Sequence, residues 1–142
     1  MRNEIAEVPA KCRVQTQCNT IERSGLVTAV EQAADSIVIT DTEGTIRYVN
    51  PAFTVVTGYA REEVEGQSTR ILKSGRETDA FYKGLWSTIQ SGKIWNGEIT
   101  NRRKDGSLYR EEMRISPVFS SAGEIESYIA IKHDITAQQA AR

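Results

Sequence analysis

Three polar side chains fall on neighbouring strands of a predicted sheet, where they could together bind a polar ring. They are Asn101, Glu111 and Lys132. An amide, a carboxylate and an ammonium offer donors and acceptors that match the carbonyl and N–H groups on the edge of a heterocycle. Buried charges need partners, so the same residues also predict an alternative, in which Glu111 and Lys132 form an ion pair without any ligand.

No other set of side chains in the sequence predicts a catalytic or metal site. His133 is the only histidine, and Cys12 and Cys18 have no further partners for zinc, so we interpret both as free thiols. The sequence has no glycine-rich phosphate loop and no nucleophile beside a base. We therefore expect a protein that is not an enzyme.

The three polar residues belong to a predicted antiparallel meander. Its strands are Ile94–Arg103, Ser107–Phe119 and a segment from Ile125 to Ile131. Asp105-Gly106 in the first turn is a strong hairpin signal because both residues tolerate positive φ. The second predicted turn, Ser120-Ser121-Ala122-Gly123, would bring Glu111 opposite Lys132 on one face of the sheet.

The first half of the chain predicts a hairpin followed by helices. The hairpin strands are Ser36–Thr40 and Thr45–Val49, the helices are Pro51–Thr57, Arg61–Val64 and Thr78–Gln90, and an amphipathic helix from Leu26 to Ala34 precedes them. Asn50 as N-cap and Gly58 as stop delimit the Pro51–Thr57 helix. The sequence thus predicts an α+β fold, with a five-stranded antiparallel sheet, helices on one side, an N-terminal cap helix and a C-terminal exit helix.

Composition and charge exclude several classes of protein. The 142 residues, 39% hydrophobic and 26% charged, are typical of one globular domain. A net charge of -1 gives no electrostatic footprint for nucleic acid. No run reaches the roughly 20 apolar residues of a spanning helix, and no signal peptide is recognisable, so we expect a cytoplasmic segment without membrane contact. We divide the chain into a leader or linker (1–23), a folded domain (24–136) and the start of a C-terminal helix (137–142).

A series of short strings between Leu26 and Thr136 resembles the PAS domain family of sensory modules. The strings are Ile39-Thr40-Asp41 with Gly44, Tyr48-Val49-Asn50-Pro51-Ala52-Phe53, Thr57-Gly58-Tyr59, Trp95-Asn96-Gly97-Glu98, the run from Asn101 to Tyr109, Ser116-Pro117-Val118 and Asp134-Ile135-Thr136. Each string alone is common, but the ordered set is specific. The resemblance implies a PAS fold, a ligand held between the sheet and the helices, and a sensory function for the 24–136 domain.

Within the family, Trp95 and the string from Asn101 to Asp105 are similar to the NifL-type branch, whose members bind FAD and sense redox state. This similarity implies a bacterial flavin sensor, with FAD expected and with FMN or no cofactor left open. It also implies a homodimer that controls an effector such as a histidine kinase or a diguanylate cyclase. The same strings occur in PAS domains with no known cofactor. A cofactor-free dimerisation and protein-interaction domain is therefore the alternative function.

The related LOV photoreceptors imply which residues would contact a flavin. Their adduct-forming cysteine aligns with Thr69, so this chain lacks the thiol that a light-driven bond needs. Arg70 and Asn101 keep that branch's flavin-contacting residue types. Lys73, Glu111 and Lys132 stand where the LOV branch uses amides.

Trp95 has two interpretations, because an indole at the start of a core strand could stack on a flavin or simply pack. The candidate cofactor-binding residues are Thr69, Arg70, Trp95, Asn101, Glu111 and Lys132.

Overall fold

The computed structural model describes residues 25–136, and the chain divides into two units, Met1–Gln32 and Ala33–Arg142. In the first unit, residues 25–32 form helix α1, which confirms that the segment beginning near Leu26 is helical. Its role as a cap on the sheet stays a prediction. The predicted leader (1–23) and the C-terminal helix (137–142) lie outside the described residues.

The second unit contains a five-stranded antiparallel sheet, as predicted. Its strands are β1 (Ser36–Thr40), β2 (Ile46–Val49), β3 (Trp95–Arg102), β4 (Leu108–Phe119) and β5 (Ile125–Asp134). Their order across the sheet is β2-β1-β5-β4-β3, so the first and the last of these five strands, β1 and β5, pair with each other. β5 therefore pairs with β1 from the first half of the domain and with β4 from the second half, so a shift of β5 would move both neighbours.

In the second unit, the segment between β2 and β3 forms several helices. They are α2 (Pro51–Thr57), α3 (Arg61–Val64), a 3-10 helix (Thr69–Leu72) and α4 (Asp79–Gln90). As predicted, the Asn50 side chain caps α2 by accepting from the Phe53 N–H, and Gly58 ends it with φ 82°. The Thr78 hydroxyl caps α4 in the same way, by accepting from the Phe81 N–H.

The pairing of β4 with β5 differs from the prediction. Met113, rather than Glu111, lies opposite Lys132, and Glu111 lies opposite Asp134. The predicted register was therefore wrong by two residues. Because side chains alternate with a period of two, a slip of two residues leaves every side chain on its predicted face.

Two local features produce this slip. The loop between the strands is one residue longer than predicted, since the Ser120 N–H donates to the Glu124 carbonyl at 2.7 Å. A bulge then leaves Glu126 as an extra residue on β5, where the register shifts beside Phe119. Neither feature has a sequence signal as clear as Asp105-Gly106.

One face of the sheet carries the core. The buried residues of this core are Val38, Ile46, Val49, Phe53, Val64, Leu72, Leu85, Ile89, Ile99, Met113, Ile115, Tyr128 and Ala130. Helix α4 packs against β3 and β4 on this inner face. The outer face presents exposed side chains such as Glu98, Glu112 and Ile131. Within residues 25–136, we find no helix whose length and hydropathy would suit a bilayer crossing.

Candidate functional site

A cavity of about 1210 Å³ lies between the inner face of the sheet, the 3-10 helix and α4. Its apolar wall includes Val38, Ile99, Met113 and Ala130 from the sheet and Leu85 and Ile89 from α4. The volume is somewhat larger than the roughly 300–1,000 Å³ typical of small-molecule sites. The residues that line it come from segments far apart in the chain, which the fold brings together.

Asn101 and Lys132 line this cavity, and Glu111 connects them. The Asn101 side-chain N–H donates to Glu111 Oε2 at 2.7 Å, and the Lys132 ammonium lies 3.5 Å from the same oxygen. All three side chains are buried, with Glu111 only 1% and Lys132 only 5% exposed. The structure therefore brings together the polar residues that the sequence singled out, around one carboxylate oxygen.

Tyr109 extends this polar group on the inner face. It is the cross-strand partner of Asn101, and the guanidinium of Arg103 lies 4.8 Å from the centre of its ring. Burial, together with the Glu111 charge, raises the pKa of the Tyr109 phenol, so the hydroxyl stays protonated at neutral pH.

Thr69 and Arg70 line the cavity at its rim, from the 3-10 helix. The segment is held against the sheet by an isolated bridge between Thr45 and Ser68 and by a hydrogen bond from the Ile46 N–H to the Gln67 carbonyl at 2.8 Å. Thus the segment that carries the candidate cofactor contacts Thr69 and Arg70 is fixed against β2. Arg70 itself is exposed, so its guanidinium is accessible at the rim.

The structure does not bring Trp95 into the cavity wall. Its ring packs edge-on against Phe81, with the ring centres 5.6 Å apart. The indole also covers Gly97, where an added Cβ would lie 2.6 Å from the ring. This position matches the packing interpretation of the indole, and its contact with a cofactor stays a prediction.

Two aromatic residues of α4, Tyr82 and Trp86, line the cavity, although the sequence did not predict them as ligand contacts. Trp86 packs edge-on against Tyr128 at 5.9 Å between ring centres, and it touches Gly44 in the β1–β2 turn. The Tyr82 hydroxyl is buried and has no hydrogen-bond partner among the described residues. The helical spacing of these aromatics is visible in the sequence, but it indicates core packing and does not show which side chains border a cavity.

Lys73 completes the rim beside Tyr82. Its ammonium lies 4.1 Å from the centre of the Tyr82 ring, a cation–π distance. Burial, with the Glu77 charge, raises the pKa of Tyr82, so its hydroxyl is a hydrogen-bond donor at neutral pH. In the part of the chain that is described, no cluster of histidine, cysteine and carboxylate side chains is arranged to hold a metal ion.

Comparisons with known proteins agree with this architecture. The family model described as PAS domain matches residues 34–137. The chain is 38% identical over 109 residues to the nitrogen fixation regulatory protein of Klebsiella oxytoca, a match that covers 77% of this chain and 22% of that protein. It thus spans about a fifth of the length of that curated relative.

Solved structures show the same fold. An RNA-binding light-oxygen-voltage receptor superposes with a TM-score of 0.79 and 30% identity, over 85% of this chain and 34% of the receptor chain. A light-oxygen-voltage domain studied with a flavin analogue superposes with a TM-score of 0.70 and 28% identity, over 82% of this chain and 89% of that one. From the family match and the shared fold, we conclude that the chain belongs to the PAS domain family.

Proposed function

We propose that this PAS domain binds a flavin, FAD, in the cavity beneath α4 and reports the redox state of the flavin to an effector. PAS domains are sensory modules of signal-transduction proteins, and the relatives include a nitrogen fixation regulator. The observation that carries the flavin assignment is a large, mostly apolar cavity whose wall includes the buried Asn101 and Lys132. Apolar walls with a few polar groups are typical of sites for ring-shaped ligands.

The residues of the cavity fit a flavin. The Asn101 amide and the Lys132 ammonium could bond the carbonyl and N–H groups on the polar edge of the ring. The Tyr82 hydroxyl, buried and without a partner in the described residues, offers a further donor beside the cavity. Arg70 at the rim is an accessible cation for a phosphate of the dinucleotide.

A bound flavin would supply reversible electron uptake, which no side chain of this site provides. The protein's own part is to orient the ring and to set the electrostatic field around it. Asn101 and Lys132 fix the polar edge, Glu111 holds both of them, and the apolar wall from β3, β4 and α4 limits water.

The relay from the cavity would run along β5 toward the C-terminus. Two residues beyond Lys132, the Asp134 carboxylate accepts from the Thr136 N–H at 2.9 Å and lies 3.7 Å from the Arg103 guanidinium. A redox-dependent change at Lys132 would therefore alter the residues that lead out of the sheet. We propose that two copies of the chain pair through the flanking helices and pass this change to an effector domain such as a histidine kinase or a diguanylate cyclase.

One observation favours a second function. The Glu111 carboxylate already accepts a hydrogen bond from Asn101 and forms an ion pair with Lys132, so the buried charges have partners within the protein. A cofactor-free domain that dimerises and binds other proteins would have the same internal pair. The two functions differ in whether the cavity is filled by a coloured ligand.

Visible spectroscopy separates the two functions. We expect the purified protein to show flavin absorption in the blue that survives gel filtration and bleaches with dithionite. Mass spectrometry of the molecule released by denaturation should identify FAD rather than FMN. A colourless protein that also rejects added FAD would overturn the flavin proposal and support the cofactor-free function.

Light scattering during gel filtration tests the proposed dimer. We expect a dimer in at least one redox state. A protein that stays monomeric over a wide concentration range in both states would contradict the dimer.

A further inference from the structure

The buried ion pair is asymmetric with respect to the cavity. Lys132 is part of the cavity wall, whereas Glu111 is not. The carboxylate lies behind the ammonium and is held by the Asn101 amide at 2.7 Å. A ligand in the cavity would therefore meet the positive member of the pair and would be separated from the negative one.

The contact between the two charges is also long. Lys132 Nζ and Glu111 Oε2 are 3.5 Å apart, whereas charge-assisted N–H···O bonds are typically about 2.7–2.9 Å. An ammonium has three donors, and within residues 25–136 this long contact is its one ion pair, which leaves donors that a ligand atom could engage. Glu111 thus lowers the cost of burying the Lys132 charge without using all of its hydrogen-bonding capacity.

Among the described residues, most of the other charged side chains on the wall are cations, like Lys132. Arg70, Lys73 and Lys83 line the cavity, and the acidic residue that lines it is Glu43. Because Glu111 compensates Lys132, three cations against one carboxylate remain, and they favour a ligand with negative charge. Arg70 and Lys83 are exposed, so water and salt weaken their contribution.

We propose that Lys132, with Glu111 as its counter-ion, makes this cavity select the anionic form of its ring ligand. Resting on the proposed function, this means that the domain binds reduced FAD more tightly than oxidised FAD. The isoalloxazine ring of oxidised flavin is neutral, and two electrons with one proton convert it into a singly anionic reduced ring. In the experiment dithionite supplies the electrons and water the proton.

Calorimetric titration of the flavin-free domain measures this preference. The Kd for oxidised FAD is determined in air and the Kd for dithionite-reduced FAD without oxygen, at a pH where the free reduced ring is already anionic. The informative quantity is the ratio of the two Kd values, because it cancels changes that affect both forms equally.

Three variants should change the ratio of the two Kd values in different ways: one should lower the preference for reduced FAD, one should raise it and one should leave it unchanged. The double variant Glu111→Gln with Lys132→Gln removes both charges and keeps amides in their place, so the preference for the reduced form should fall about tenfold or more. Glu111→Gln alone leaves the ammonium without its counter-ion, so the preference should rise. Lys93→Gln removes an exposed charge outside the cavity and should leave the ratio unchanged.

The outcomes distinguish a failure of the inference about Lys132 from a failure of the proposed flavin function. If both forms of FAD bind but the double variant keeps the wild-type ratio, the inference about Lys132 is wrong while the flavin function stands. If neither form binds to the wild-type domain, the proposed function and this inference fail together. A single substitution at either position leaves the other charge buried and unpaired and lowers the stability of the domain, so the double variant is the deciding comparison.

Discussion

The Lys132 ammonium pairs with the Glu111 carboxylate diagonally across β4 and β5, although the sheet register puts Met113 opposite Lys132. Both residues are almost fully buried, so each charge depends on the other. Because the two charges are paired, substituting either residue should change the stability of the domain.

Removing one member of the pair should destabilise the ligand-free domain. Lys132→Met leaves the Glu111 carboxylate buried without its ion-pair partner, and we expect the free energy of unfolding to fall by about 3–5 kcal/mol. Adding Glu111→Leu to Lys132→Met should recover most of this loss, because an apolar pair needs no charge partner. Urea unfolding of both variants measures the effect. A single variant that loses less than about 1 kcal/mol would show that the carboxylate is not dependent on the ammonium.

The two tryptophans should differ in their effect on flavin binding. Trp86 lines the cavity, whereas Trp95 packs on Phe81 and Gly97. We expect Trp86→Leu to weaken FAD binding about tenfold or more, through lost contact with the ligand, and Trp95→Leu chiefly to lower stability. Fluorescence titration with FAD and thermal unfolding separate the two effects. A larger loss of affinity for Trp95→Leu would instead support direct contact of Trp95 with the ring.

The stability of the domain should depend on the pH through His133. Its Nδ1 lies 2.9 Å from Asp35, and this hydrogen bond, with the charges of Asp35, Glu112 and Asp134, raises the pKa of His133. A raised folded-state pKa means that the stabilisation is complete below the unfolded value of about 6.5 and is lost as the pH rises through the folded value. Both side chains are about half exposed, so the contribution should stay below about 1 kcal/mol.

Asp35→Asn tests this pH dependence. The variant should be less stable than the wild type at about pH 5.5 and nearly equal to it at about pH 9, because neutral histidine has lost its charge attraction to the carboxylate. Urea midpoints at the two pH values measure the difference. An equal loss at both values would mean that Asp35 acts through its uncharged contacts.

Asn50 should be the most sensitive polar residue of the first hairpin. Its Oδ1 accepts from the N–H groups of Ile37 at 2.9 Å and Phe53 at 3.2 Å, and its Nδ2 donates to the Asp35 carbonyl at 3.0 Å. Because the side chain is buried, Asn50→Ala should cost about 2–4 kcal/mol through unsatisfied backbone groups and the lost helix cap.

A matched cap substitution shows whether burial causes this cost. Thr78 caps α4 in the same way but is exposed, so Thr78→Ala should cost only about 1 kcal/mol. Equal costs for the two variants, measured by urea unfolding, would contradict a special role for Asn50 in joining β1 to α2.

The local elements of this fold were predictable because their signals are local. Asn50, Pro51 and Gly58 predicted the bounds of α2, and the structure confirms them. The pattern of alternating residues also predicted that Asn101, Glu111 and Lys132 share the inner face. A strand or a helix terminus is decided by the backbone preferences and hydrogen bonds of a few neighbouring residues.

The sequence by itself determined the five strands, the helices α2, α3 and α4, the inner face and, through the resemblance, the PAS family. It did not predict the 3-10 helix Thr69–Leu72. Only the tertiary structure decided that Lys132 borders the cavity with Glu111 behind it, that Trp86 lines the cavity and that Trp95 packs outside it. These relations depend on the loop and bulge that set the β4–β5 register and on how α4 packs across the sheet. Periodicity fixes the face on which a side chain lies. Its neighbours on that face depend on register and packing, which join residues distant in the chain.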